Sequence, residues 1–240
     1  VIHCAALANV DACESDPARA RQLNCELPTL LAQLVARGGA RLVHVSTDAV
    51  FDGQHGEYTE NDFPNPLSIY ARTKLEGEQG VAAANPQAII TRVNLFGWSS
   101  SGKRSLAEFF YNNLSAGKQV FGFTDVFFCP LLANDLAQLF LEMLALDLHG
   151  LYHVVSSQCL TKYDFGVALA QRFGLPPELI QAASVVEAGL NAARSPNLTL
   201  RTTKLQQALG HSLPNVSTGL DRLYTLYQQG YPQKLQGMVV

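Results

Sequence analysis

A chain of 240 residues, 48% of them hydrophobic and 15% charged, can bury a sizeable core; it fits one globular domain or two small ones and excludes a disordered polymer. The 17 Lys and Arg are scattered among 20 Asp and Glu, giving a formal net charge of -3 and no basic face for a phosphate backbone, so nucleic acid is not an expected partner. No apolar run approaches the ~20 residues that span a bilayer and no charged segment leads into an apolar signal core, so no membrane association is expected.

The chain opens on "VIHCAA", an apolar run that reads as a buried strand; since it begins with Val1 and not Met, an upstream segment is expected. "DPARARQLNCELPTLLAQLVARGG" follows with helical periodicity. Asp16 is its expected N-cap, Pro17 its first residue, and Gly38 and Gly39 its end, where a left-handed cap needs no β-carbon. "ARLVHVST" reads as the next strand. A turn-rich loop, "FDGQHGEYTENDFPNP", leads to a helix expected over about 66–84, with Asn65 as N-cap and Pro66 at its first position, and then to the strand "QAIITRV". Repeated β-α-β order implies a parallel sheet covered on both faces. Beyond residue 97 the helices "SLAEFFYNNLSAG" and "NDLAQLFLEMLALDL" precede the strand "LYHVVSS". A helix capped by Thr161 and a closing amphipathic helix, "NVSTGLDRLYTLYQQG", complete the pattern. The expected plan is an α/β sheet domain with a smaller lobe assembled from discontinuous pieces after residue 97.

The five cysteines (Cys4, Cys13, Cys25, Cys129, Cys159) are odd in number, widely separated and free of C-x-x-C, which argues against a disulfide framework and a zinc site and favours a reduced, cytoplasmic setting. None of the six histidines pairs at metal-ligand spacing, and His3 and His44 are expected as satisfied core residues, so no metal is expected.

The stretch "PNPLSIYARTK" carries the first chemical signal. Tyr70 and Lys74 stand four apart on one helix face, where β-carbons lie about 5–6 Å apart, so the ammonium can approach the phenol. A phenol of pKa near ~10 is a poor acid at neutral pH; a nearby cation and the positive end of a helix are expected to lower it into a usable range. Upstream, "HVSTDAVF" ends a strand in Ser46, Thr47 and Asp48, at the carboxyl edge where open α/β sheets bind ligands.

Taken together, "VIHCAA", Asn24, "VHVSTDAVFDG", "PNPLSIYARTKLEGE", "TRVNLFG" and "PLLANDLA" resemble the extended short-chain dehydrogenase/reductases, and within them the dTDP-4-dehydrorhamnose reductase family. The resemblance implies an α/β fold: a Rossmann-like doubly wound parallel sheet, N-terminally truncated, with a smaller C-terminal substrate-binding lobe. Residues 1–97, with returning segments about 125–155, would be the remainder of the NAD(P)-binding domain, and 98–124 with 156–240 the substrate lobe. It further implies an oxidoreductase using NADP or NAD to reduce a keto group of a nucleotide sugar. Thr47, Tyr70 and Lys74 would be catalytic, with Ser46 the runner-up hydroxyl. Ala5, Ala6, Asn24, Ser46, Tyr70, Lys74 and Val93 would line the cofactor, and Thr47, Asp48, Asn94 and Arg194 the substrate. Asn24 is also expected to bond structurally, and Arg194 is as well suited to solvent as to a phosphate. The aromatics of "FFYNN" and "VFGFTDVFF" would line a sugar pocket or form plain core. The family's G-x-x-G-x-x-G is absent, and Arg201 in "LRTTKL" stands where many relatives carry Asp. Two alternatives stay open: an epimerase or dehydratase of the same superfamily, and a non-catalytic, cofactor-binding regulatory subunit like the beta subunit of methionine adenosyltransferase. A homodimer is left open as the assembly.

Overall fold

The computed structural model describes residues 1–185 and 195–238. In chain order it forms β1 (Ile2–His3), α1 (Val10–Ser15), α2 (Pro17–Arg21), a π turn (Gln22–Glu26), α3 (Leu27–Arg37), β2 (Val43–Thr47), a 3-10 turn (Asp48–Val50), α4 (Ile69–Ala84) and β3 (Ile89–Val93). Then come β4 (Leu95–Phe96), α5 (Leu106–Ser115), β5 (Val120–Phe123), β6 (Phe127–Phe128), β7 (Leu131–Leu132), α6 (Ala133–Ala145) and β8 (Gly150–His153). The chain closes with β9 (Leu160–Thr161), α7 (Lys162–Phe173), a second 3-10 turn (Pro177–Leu179), β10 (Ile180–Ala183), α8 (Thr203–Leu209), α9 (Val216–Gln228) and α10 (Tyr231–Gly237).

Two compact units share these elements. Of the described residues, 1–93, 139–154 and 195–212 form the first, and 94–138, 155–185 and 213–238 the second. The division differs from the expected one, which kept residues 125–138 with the sheet and 195–212 with the other lobe. The long helix α6 is shared between the units, and the segment around Tyr58 draws 199–201 to the sheet unit through Tyr58 N to Thr199 O and Arg201 N to Tyr58 O.

The first unit holds a four-stranded, all-parallel sheet in the order β1-β2-β3-β8. Side chains alternate across such a sheet, so Leu42, His44 and Ser46, and likewise Ala88, Ile90 and Arg92, share one face. Ala32 and Val35 of α3 and Val81 of α4 close over its apolar end, packing with Leu42, Ala88 and Ile90. The helix layer itself is tight: a β-carbon on Gly77 would collide with the Asn24 carbonyl, and one on Gly80 with the Thr29 hydroxyl. The first predicted helix runs as expected from Asp16, whose side chain accepts from Arg19 N, but it passes through the π turn before α3. The second starts later than expected. Ser68, not Asn65, is its N-cap, accepting from Ala71 N at 3.2 Å, because Asn65 is drawn away to donate to Asp52 Oδ2 at 2.9 Å.

In the second unit, short pairs β4–β7 and β5–β10 (parallel) and β6–β9 (antiparallel) surround a core of Phe96, Phe110, Phe128, Phe165, Leu169 and Leu220. The aromatic runs therefore split: Phe110 and Phe128 are core, while Phe109, Phe121 and Phe127 are exposed. The argument against disulfides fails at one place. Cys129 and Cys159 are bonded, their Cα atoms 4.1 Å apart. The register of β6 and β9 pairs Phe128 with Leu160, so the next residues outward, thirty apart in sequence, face each other. Cys4, Cys13 and Cys25 are free. Among the described residues, no helix is long and apolar enough to cross a membrane.

Candidate active site

Parallel strands bring their carboxyl ends to one edge of the sheet, and there Thr47 of β2 lies in register with Val93 of β3. β2 stops at Thr47 because the chain turns at once into the 3-10 turn, which Thr47 caps by accepting from Ala49 N at 3.2 Å. The Thr47 hydroxyl donates to Asp48 Oδ1 at 3.2 Å, and it lies close enough to the Tyr70 hydroxyl to favour the ionised form of that phenol. A threonine hydroxyl has one proton. In the structure that proton goes to Asp48; were Tyr70 ionised, Thr47 could turn it to the phenolate. Tyr70 is the second residue of α4, in its first turn, and Glu14 of α1 accepts the backbone N–H of the preceding Ile69 at 2.8 Å.

The electrostatics depart from expectation. Tyr70 keeps part of its surface exposed, yet burial of its hydroxyl pushes the pKa up to about 12; Thr47 opposes the shift and the Asp48 carboxylate adds to it. Lys74 does not lower it. The Lys74 ammonium donates to the Val45 carbonyl at 2.7 Å, and its own pKa is lowered to about 8 by burial, against the pull of the Glu78 carboxylate. Positions i and i+4 share a helix face, but the tips of their side chains go where hydrogen bonds take them. Tyr70 is thus a phenol throughout the neutral range and not a partly ionised one.

The remaining expected residues fall into three groups. Ala5 and Ala6 are exposed just beyond β1, and Val93 is buried at the end of β3. Ser46 is turned inward, its hydroxyl donating to Glu78 Oε1 at 2.5 Å, and Asn24 clamps the loop after β1. Leu7 N donates to Asn24 Oδ1 at 2.8 Å, and Asn24 Nδ2 donates to Leu7 O at 3.1 Å and Thr73 Oγ1 at 3.2 Å. Asp48 is buried beside Thr47, whereas Asn94 belongs to the second unit, where its carbonyl accepts from Leu131 N at 2.9 Å. Arg194 lies outside the described residues. Arg201 pairs with Glu57 through Nε at 3.3 Å.

Sequence reasoning missed Glu78 and Arg92, which form a buried ion pair next to Lys74, and the stacked His3–His44 pair, whose Nδ1 atoms are 3.2 Å apart. The i+4 step from Lys74 to Glu78 was visible, but it looks like any surface pair on a helix.

A nicotinamide dinucleotide suits these groups. Lys74 is 2% exposed and has three N–H donors, of which the Val45 carbonyl takes one, leaving donors for vicinal hydroxyls. The small, exposed Ala5 and Ala6 leave room beside them at the sheet edge.

Residues 1–229 match the model of the RmlD substrate binding domain. The chain belongs to that family. Among its relatives, a probable low-salt glycan biosynthesis reductase of Haloferax volcanii is 35% identical over 228 residues, covering 93% of this chain and 76% of that protein. The methionine adenosyltransferase 2 subunit beta of Danio rerio is 32% identical over 216 residues, covering 86% of this chain and 65% of the subunit. Of solved RmlD-like structures, a dTDP-4-dehydrorhamnose reductase ortholog from Clostridium acetobutylicum superposes with a TM-score of 0.88 at 30% identity, over 95% of this chain and 80% of that one. The dTDP-4-dehydrorhamnose reductase of Bacillus anthracis in complex with NADP gives 0.87 at 26% identity, over 93% and 79%.

Proposed function

We propose that the protein reduces a keto group of a nucleotide-activated sugar with NADPH or NADH, with Tyr70 as proton donor. The observation that carries this is the placing of Thr47 beside the Tyr70 hydroxyl at the carboxyl edge of a parallel sheet, one helical turn from the buried Lys74. The reductase relatives and the NADP complex support it. When bound, the dinucleotide supplies the hydride. Tyr70, kept as a phenol by burial, gives its proton to the oxygen that gains charge, a contribution of about 10²–10⁴-fold. Thr47 then turns its O–H toward the phenolate, and the positive end of α4 stabilises the same charge. Lys74 holds ribose hydroxyls and faces the site with a positive charge. Ala5, Ala6 and Val93 line the cofactor in this scheme, and Asp48 the sugar.

The test is to give the full-length protein NADPH and NADH in turn with 4-keto nucleotide sugars and follow the absorbance of the reduced cofactor. Stoichiometric oxidation with a reduced sugar as product is expected. Bound cofactor with no net oxidation of it and a converted sugar would make the protein an epimerase or dehydratase. Bound cofactor with no converted sugar and a stably copurifying enzyme would make it a regulatory subunit, the role to which the likeness to the Danio rerio subunit points. A cytoplasmic setting belongs to the same proposal: three of the five cysteines are free, against one bonded pair. So does a homodimer, for which Leu27, Leu30 and Leu34 offer an exposed apolar stripe on α3; sedimentation of the full-length protein decides it.

A further inference from the structure

Tyr70, Lys74 and Glu78 repeat every four residues along one face of α4. The third of them has no part in the proposed reaction, yet it is the most firmly held. Glu78 is 5% exposed, and its carboxylate accepts from Ser46 Oγ at 2.5 Å, from Arg92 Nη2 at 2.8 Å, and from Arg92 Nε at 3.1 and 3.2 Å. Ser46 and Arg92 are register partners across β2 and β3. The residue before Ser46, Val45, accepts from Lys74 Nζ at 2.7 Å. Two consecutive residues of β2 therefore hold two side chains that lie one turn apart on α4. Such an arrangement fixes Lys74 and Glu78 each against a rigid sheet, side by side on one helix face.

The groups that face Lys74 come from three elements and the loop beyond β1. From β1 and that loop come His3 and Cys4, from β2 His44 and the Val45 carbonyl, and from α4 itself Glu78. Burial holds both imidazoles neutral, the His44 pKa falling to about 2, and burial keeps Cys4 a thiol. Of these groups, Glu78 most strongly opposes the desolvation of Lys74. How strongly it does so depends on how firmly Ser46 and Arg92 hold the carboxylate in place.

We infer that Glu78 is a positioning residue for Lys74: fastened to the sheet by Ser46 and Arg92, it keeps the neighbouring ammonium charged against the effect of burial. This rests on the role of Lys74 proposed above. The Lys74 resonance can be followed by NMR in full-length protein carrying isotope-labelled lysine, and assigned by its loss in Lys74→Met. Glu78→Gln is expected to lower the Lys74 titration midpoint by about one pH unit or more, the size of effect an adjacent opposite charge has. Ser46→Ala keeps every charge and removes one fastening of the carboxylate, so the midpoint is expected to fall, by less than in Glu78→Gln; this milder variant decides the matter if Glu78→Gln does not fold. Midpoints unmoved in the folded variants overturn the inference. The titration needs neither cofactor nor substrate. An unmoved midpoint with intact wild-type reduction overturns the inference and spares the proposed function; a moved midpoint without any wild-type turnover does the reverse.

Discussion

Near its carboxyl end α4 sets Val81 against Leu42, Ala88 and Ile90 of the sheet, with Ala32 and Val35 of α3 completing the cluster. One to two turns earlier the same helix sets Lys74 and Glu78 against a face carrying His44, Ser46 and Arg92, and these are buried just as deeply. At the first end, removal from water is itself the stabilising term, about 25 cal/mol per Å² of apolar surface. At the second, the same removal works against the charged forms: Lys74 falls to about 8 and His44 to about 2, while just beyond them Tyr70 rises to about 12. Dryness thus does two jobs along one helix. It stabilises the fold where side chains are apolar, and where they are not it holds protons and charges in states that water would not select.

Substitutions at the two ends should therefore differ in kind. Ile90→Ala, at the apolar end, should cost about 2–5 kcal/mol in chemical denaturation, with the same loss at every pH between mild acid and mild base. A loss that changes with pH would mean the two ends are not separable. Lys74→Met, at the polar end, should abolish cofactor-dependent turnover and yet stabilise the fold at neutral pH by about 1–3 kcal/mol. The sign follows from the folded pKa of about 8 against the ordinary 10.5. Between those values the unfolded chain holds a proton that the folded one has lost, so wild-type stability rises with pH through that window, and the variant should lack this rise. Destabilisation by Lys74→Met at neutral pH would contradict the assignment.

A further effect is spread over pH. His44 and His153 are buried with pKa values lowered to about 2 and about 3, from 6.5. Below 6.5 the unfolded chain takes up protons that the folded chain refuses, so each histidine should remove about 1.4 kcal/mol of stability per pH unit until its folded value is reached. His44→Phe should flatten acid unfolding by that amount per unit. An unchanged slope would show that the stacked pair with His3 is already protonated.

Much of this architecture was legible because its signals are local. The cap at Asp16, the cap at Thr161 and the period of the first two strands and helices lie within a few residues of what they control. The start of α4 was misplaced because Asn65 and Ser68 are both good caps beside a proline, and only the tertiary bond from Asn65 to Asp52 decides between them. The Cys129–Cys159 bond depends on the pairing of two-residue strands far apart in sequence. At the site, spacing put Tyr70 and Lys74 on one face but could not show that the ammonium is taken up by the Val45 carbonyl. Nor could it show that Glu78, which looks like the partner of Lys74 in a surface pair, is bound instead to Arg92 across the sheet.

The central claim is that Tyr70 is a neutral phenol that gives up its proton only during the reaction, and the most direct test compares cofactor binding with single-turnover chemistry in Tyr70→Phe. The account predicts that the variant folds and binds reduced cofactor as the wild type does, while reduction of the 4-keto sugar slows by about 10²–10⁴-fold. Reduction at the wild-type rate with the phenol gone would contradict it.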